Sequence, residues 1–123
     1  MIMLDANMVL RYFLDDVPSQ SDYATRLIEE GTPFVPTEVL MEVCFASDKV
    51  YHLTRNAVSD MVSDFISLPQ VYTADKDALL FAFDAYKRYK LDIVDCVLLA
   101  YHKVNGDTVE TFDKKLLRHL NKH

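Results

Sequence analysis

Asp5, Glu42, Asp95 and Asp113 each interrupt or close an apolar run in this 123-residue chain. Asp5 follows Met1-Ile2-Met3-Leu4, and Glu42 sits inside Val39-Leu40-Met41-Glu42-Val43-Cys44-Phe45. Asp95 precedes Cys96-Val97-Leu98-Leu99-Ala100, and Asp113 closes Thr108-Val109-Glu110-Thr111-Phe112. An ionised acid in apolar surroundings needs a partner, because an unpaired carboxylate taken out of water costs several kcal/mol or takes up a proton. Four of them along the chain suggest one acidic site for divalent cations. Mg2+ prefers oxygen ligands, keeps several waters and is held by one or two carboxylates plus substrate phosphates, so three or four acids suit one or two such ions. No Cys/His spacing fits zinc. Without a cation, neighbouring carboxylates could not all stay charged, and at least one should hold its proton more tightly.

Each acid also has a plainer explanation. Asp5 and Asp113 could cap the helices that follow them. Asp95 could be a first-turn acid favoured by the helix dipole. Glu42 could pair with Arg11. Glu38 reads as a first-turn acid, and Asp92 as an N-cap.

The elements that must position these acids alternate between strands and helices, the pattern of an α/β domain with a largely parallel sheet. Residues 1–5 read as a short buried strand, and Asn7 as the N-cap of a helix with Val9, Leu10, Phe13 and Leu14 on one face. Asp15-Asp16-Val17-Pro18 stops that helix, Ser19 or Ser21 opens the next, and Gly31 ends it. Pro33-Phe34-Val35 is a second strand, and Thr37 caps a helix to about Lys49, apolar nearly all round and so expected to be buried. Further helices start at Thr54, span residues 74–90, and run from Asp92 to Asn105-Gly106. Val71-Tyr72 is a weak strand, 108–112 a clear one, and Lys114 to about Leu120 a terminal helix. Asp5 and Asp113 then fall at the carboxyl ends of strands, where open α/β sheets hold ligands.

Composition bounds the answer. The length predicts one domain over residues 1–123, and a chain 50% hydrophobic with seven Phe and seven Tyr can build a core. Two Gly and four Pro argue against a turn-rich all-β fold. Cys44 and Cys96 lie in apolar runs and read as small core residues of a reducing, cytoplasmic setting. Asp5 comes too early for the apolar core of a signal peptide. No uncharged stretch approaches the ~20 residues of a membrane span. A net charge of −6 argues against a passive nucleic-acid coat, but not against an enzyme that meets phosphates through cations.

At these residues the chain resembles PIN-domain ribonucleases, most closely the VapC-type toxins of toxin–antitoxin systems. The matching stretches are Met3-Leu4-Asp5-Ala6-Asn7 with Val9-Leu10-Arg11-Tyr12, Val39-Leu40-Met41-Glu42-Val43, Leu91 to Ala100, and Thr111-Phe112-Asp113. The resemblance implies a three-layer α/β/α fold with a short, mainly parallel central sheet of four or five strands. It implies Mg2+ or Mn2+ in an acidic pocket, hydrolysis of single-stranded RNA, a homodimer, and a small cognate antitoxin. Asp5, Glu42, Asp95 and Asp113 match the family's acids and are the expected metal ligands and catalytic groups, with Asn7, Thr111 and Asp92 supporting them. The metal would activate water and stabilise the leaving oxygen.

Three departures stand out: Ala6 replaces a common Thr or Ser, Asp92 is a second acid beside Asp95, and the chain ends at His123 without the last strand of many relatives. Lys114, Lys115 and Arg118 follow Asp113 closely enough to steer phosphates. Tyr86-Lys87-Arg88-Tyr89-Lys90 mixes rings and cations as RNA surfaces do, but cations are also favoured at a helix end. His102 shares a helical stripe with Asp95, while His52, His119 and His123 read as peripheral. The main alternative is a non-catalytic PIN-like module that binds RNA or protein. A phosphatase using an aspartyl intermediate is disfavoured, since Asp5-Ala6-Asn7 lacks a second acid two residues on.

Overall fold

The computed structural model describes residues 1–122, so His123 lies outside the described residues. The chain divides into two compact units, Met1–Ala74 and Asp75–His123.

The first unit runs β1 (Ile2–Met3), α1 (Ala6–Leu14), α2 (Pro18–Glu30), β2 (Pro33–Phe34), α3 (Thr37–Lys49) and α4 (Arg55–Ile66). β1 and β2 are parallel, with Ile2 opposite Pro33 and Met3 opposite Phe34. Phe34 also bridges in parallel to Tyr72, whose N–H donates to the Pro33 carbonyl at 2.9 Å. α1 packs on α2 and α3, and α3 packs on α4. Val9, Leu10, Ala24, Ile28, Leu40, Val43, Val58, Val62 and Phe65 are buried in these elements. The rings of Tyr12 and Phe13 meet Phe65 at centroid distances of 5.7 and 5.4 Å, the tilted and edge-on geometries aromatic pairs prefer.

The second unit is helical: α5 (Lys76–Arg88), α6 (Ile93–Asn105) and α7 (Lys114–Leu120), with α6 packed by both neighbours. Leu79, Phe83, Ile93, Cys96, Leu99 and Leu116 are almost wholly buried. α6 stops at Gly106, where φ is 75°, a left-handed conformation that glycine adopts without the penalty a Cβ brings. Asp75 caps α5 through the Ala78 N–H at 3.0 Å, and its other oxygen accepts from Asn105 Nδ2 at 2.8 Å. That pair ties the start of α5 to the end of α6. Cys44 and Cys96 are buried and form no disulfide. No helix among the described residues is long and apolar enough to cross a membrane.

The sheet departs from the expected four or five strands. Among the described residues two strands form, plus the bridge at Tyr72. Each apolar run is short, and Pro33 and Pro36, which lack an N–H, bracket the second. Residues 108–112 are not a strand. Their burial alternates as a strand's would, with Val109 and Thr111 half-buried between exposed neighbours, and Phe112 is fully exposed. Period-two patterning marks an extended chain, but a strand also needs paired N–H and C=O groups. Asp5 and Asp113 therefore follow a two-residue strand and an unpaired segment, respectively.

Three helix starts also differ. Asp5, not Asn7, caps α1, because its side chain reaches the N–H three residues on. Pro36 stands at the N-cap of α3 and makes Thr37 its first helical residue. α2 begins at Pro18, whose fixed φ suits a first turn, ahead of Ser19 and Ser21. Nor is α3 buried all round: Leu40, Val43, Cys44 and Ser47 face inward, whereas Glu42 is exposed and Phe45 nearly half exposed.

Candidate active site

In the first unit the acid is placed by helix geometry. The Asp5 carboxylate accepts the Met8 N–H at 2.9 Å, satisfying one of the four orphan donors at the start of α1. Val9 and Leu10 turn into the core, which leaves Asn7, Met8 and Arg11 on the other side of the helix. With Ser19, Gln20 and Tyr23 of α2 they line a cleft of about 570 Å³ that has Asp5 at its edge. Arg11 is fixed there by Nη2, which donates to the Tyr51 hydroxyl at 2.8 Å, and by Nη1, which bonds Asp16. The Tyr51 bond, with Asp16 behind it, outweighs partial burial and raises the guanidinium's proton affinity further. Arg11 is thus engaged with Asp16 and Tyr51, and the alternative pairing with Glu42 does not form. Glu42 stands exposed on α3 with no hydrogen bond or ion pair inside its own unit.

In the second unit Asp92 and Asp113 both bear on Asp95. Asp92 caps α6 by accepting the Asp95 N–H at 3.0 Å, and Asp113 caps α7 by accepting the Leu116 N–H at 2.9 Å. Thr111 Oγ1 accepts the Asp113 N–H at 3.0 Å and so holds the backbone that carries this acid. Asp95, half-buried on the first turn of α6, has its pKa pushed up, first by desolvation and then by the charges of Asp92 and Asp113.

Lys114, Lys115 and Arg118 are exposed on α7 directly after Asp113. His119 lies against the Tyr89 ring at 4.2 Å, and burial followed by Lys122, Arg118 and Lys103 pushes its pKa down. His102 is held by the Asp107 carbonyl, 2.8 Å from its Nδ1.

The donor set fits a hard divalent cation. Every acid in question offers oxygen, and the caps at Asp5, Asp92 and Asp113 each engage only Oδ1. Among the described residues no group of three or more His, Cys, Asp or Glu is positioned to hold a metal ion by itself. Mg2+ and Mn2+ do not require such a cage, since water and substrate phosphate complete their coordination.

The family model of the PIN domain matches residues 2–122. The chain belongs to the PIN-domain family. PIN domains are generally metal-dependent nucleases that act on nucleic acid, so nuclease-type hydrolysis is the chemistry this α/β fold carries. No curated protein matches the chain in sequence.

Sequence reasoning singled out Asp5 and Asn7 but missed Ser19, Gln20 and Tyr23 as lining of the same PIN-domain cleft. A signal existed: Asn7, Met8 and Arg11, and then Ser19, Gln20 and Tyr23, recur at helical spacing on two consecutive helices. Polar residues at that spacing read as solvent faces until the packing of α1 on α2 is known.

Proposed function

We propose that this PIN-domain chain is an endoribonuclease that cleaves single-stranded RNA with Mg2+ or Mn2+. Asp5, Glu42, Asp95 and Asp113 are its metal-site and catalytic acids, in one domain over residues 1–123. The observation that supports this reading is the setting of Asp95: its charged form is disfavoured by desolvation and then by Asp92 and Asp113, a cost that a divalent cation would offset. The family match supports the hydrolytic chemistry.

When bound, the ion supplies Lewis-acid activation of water and offsets charge at the phosphate being cut. The chain's own residues provide the rest. Thr111 and the α7 cap fix the angle of Asp113. Asp92, through the Asp95 N–H, sets the first turn that presents Asp95. Asn7 stands two residues from Asp5 in the same cleft lining. Glu42, with no partner in its own unit, is free to bind metal or position the attacking water. Lys114, Lys115 and Arg118 draw the RNA backbone toward Asp113.

By its likeness to VapC-type proteins, the chain is the toxin half of a toxin–antitoxin pair. It works in the cytoplasm as a homodimer, with a small cognate antitoxin as partner. A neighbouring reading frame encoding a small protein with a DNA-binding N-terminus supports this role, and a chromosomal setting without one speaks against it.

The test is cleavage of a mixed pool of single-stranded RNA. Wild-type protein with Mg2+ or Mn2+ should cut it, chelation should stop the reaction, and Asp5→Asn should lower the rate on the order of 10³-fold with unchanged circular dichroism. Near-normal cutting by Asp5→Asn removes that acid from the mechanism. An inactive but RNA-binding wild type makes the chain a binding module.

A further inference from the structure

The cleft between α1 and α2 has a composition that the acids alone do not explain. Its volume of about 570 Å³ lies within the range of small-ligand sites. Asn7, Ser19 and Gln20 contribute neutral amides and a hydroxyl, which offer donors and acceptors together. Tyr23, 52% exposed, lends a ring, and Met8 a soft apolar contact. Arg11 is held in place by Tyr51 and Asp16, and two of its five N–H donors are committed to them.

The charge pattern excludes a bare anion as the occupant. Asp16 already offsets Arg11, and Asp5 adds a negative charge at the cleft's edge. A neutral planar group with hydrogen-bonding edges fits these surroundings, because neutral amides read base edges and aromatic rings stack on base faces. Since Asp5 borders the cleft, a base seated there would place its own phosphate beside that acid.

We propose that the α1–α2 cleft is a nucleobase subsite. It receives one unpaired base of the RNA next to the bond that is cut, with the base face on Tyr23 and its edge read by Gln20, Ser19 and Asn7. The placement beside the cut bond rests on the nuclease reading, whereas base binding does not.

Two exposed side chains outside the catalytic set test it, Tyr23→Ala and Gln20→Ala, with Tyr23→Phe as the conservative control. On single-stranded RNA, Tyr23→Ala should raise KM by about 5- to 150-fold, the range for losing one base–aromatic stack, with kcat little changed. Tyr23→Phe should restore KM, and Gln20→Ala should change which base stands at the mapped RNA ends. If wild type cuts and both alanine variants keep its KM and its ends, the subsite is overturned while the nuclease reading stands. A second measurement uses no cleavage: the four 5′-mononucleotides titrated into wild-type protein at millimolar concentration and followed by NMR. Shifts at Tyr23 and Gln20 that vanish in Tyr23→Ala support the subsite even if the protein does not cut. Absence of such shifts with all four nucleotides overturns it.

Discussion

Asp5 sits at the edge of an open cleft, capping α1, with a fixed guanidinium in the same lining, whereas Asp95 is half-buried and burdened by two further acids. The first arrangement is complete as it stands, because the Asp5 carboxylate closes the start of α1 by accepting the Met8 N–H. The second is under electrostatic load: desolvation and two like charges all act against the ionised form of Asp95. Acids that cap helices contribute to folding whether or not they serve catalysis. Asp95 caps no helix, so desolvation and its two acidic neighbours set it apart from the capping acids, although the sequence draws the eye first to Asp5.

After the catalytic Asp variants, the largest effect that sharpens this contrast is expected at Glu42, which is exposed on α3. A surface substitution without partners changes stability by at most about 0.5 kcal/mol. Glu42→Gln should leave the melting curve unchanged and still lower RNA cleavage by about 10²-fold or more. Unchanged cleavage would return Glu42 to the solvent face of its helix.

Cation binding should come next in size. Mn2+ at one hundred times its Kd should stabilise the native protein by about 2.7 kcal/mol, read as a rise in Tm. Asp113→Asn should lose most of that gain. An equal gain in wild type and variant would place the cation elsewhere.

Asp75 supplies a control for capping without catalysis. Its pKa is lowered by the Asn105 hydrogen bond and then by the Ala78 N–H, so its stabilising contribution is present above the ordinary carboxylate value and is lost as pH falls through the lowered one. Asp75→Ala should cost about 1–2 kcal/mol at neutral pH in a denaturant titration and leave kcat unchanged. A fall in kcat at unchanged fold would show that the α5 start does more than close a helix.

The smallest effect concerns Asp95 and has the opposite sign. Its folded pKa is raised, so between the ordinary and the raised values the native state binds more protons than the unfolded chain. Stability then falls as pH rises through that window and stays lower above it. Without added metal, Asp95→Asn should therefore raise Tm at pH 7 by roughly 1–3 °C and flatten the pH dependence in that window. A lower Tm would mean that the charged form is favoured after all.

Much of the helical framework is legible from short-range chemistry. Thr54 and Asp92 cap the helices they precede, Gly106 ends α6 in a left-handed turn and Gly31 ends α2 in an extended one, all signals that act over three or four residues. Asn7 misleads since Asp5, two positions earlier, reaches Met8 better than Asn7 serves a later turn. The sheet is less legible. β1 and β2 hold two residues each, too few for periodicity to register, and 108–112 carries strand patterning without a ladder. Of the candidate site, the acids were visible as charges in apolar runs. Asp92 was visible as a second acid beside Asp95, whereas the effect of Asp113 on Asp95 depends on how α6 and α7 pack. Tyr23 and Gln20 carry no mark in sequence that separates a cleft from solvent.

We propose that Asp5 and Asp113 serve one metal-dependent reaction. A double-mutant cycle tests it most directly: rates of RNA cleavage in Mn2+ for wild type, Asp5→Asn, Asp113→Asn and the double variant. Groups that act as one catalytic unit are grossly non-additive. We expect each single variant to lose on the order of 10³-fold and the double variant to lose little more. Losses that multiply, or a single variant that cuts like wild type, would contradict the account.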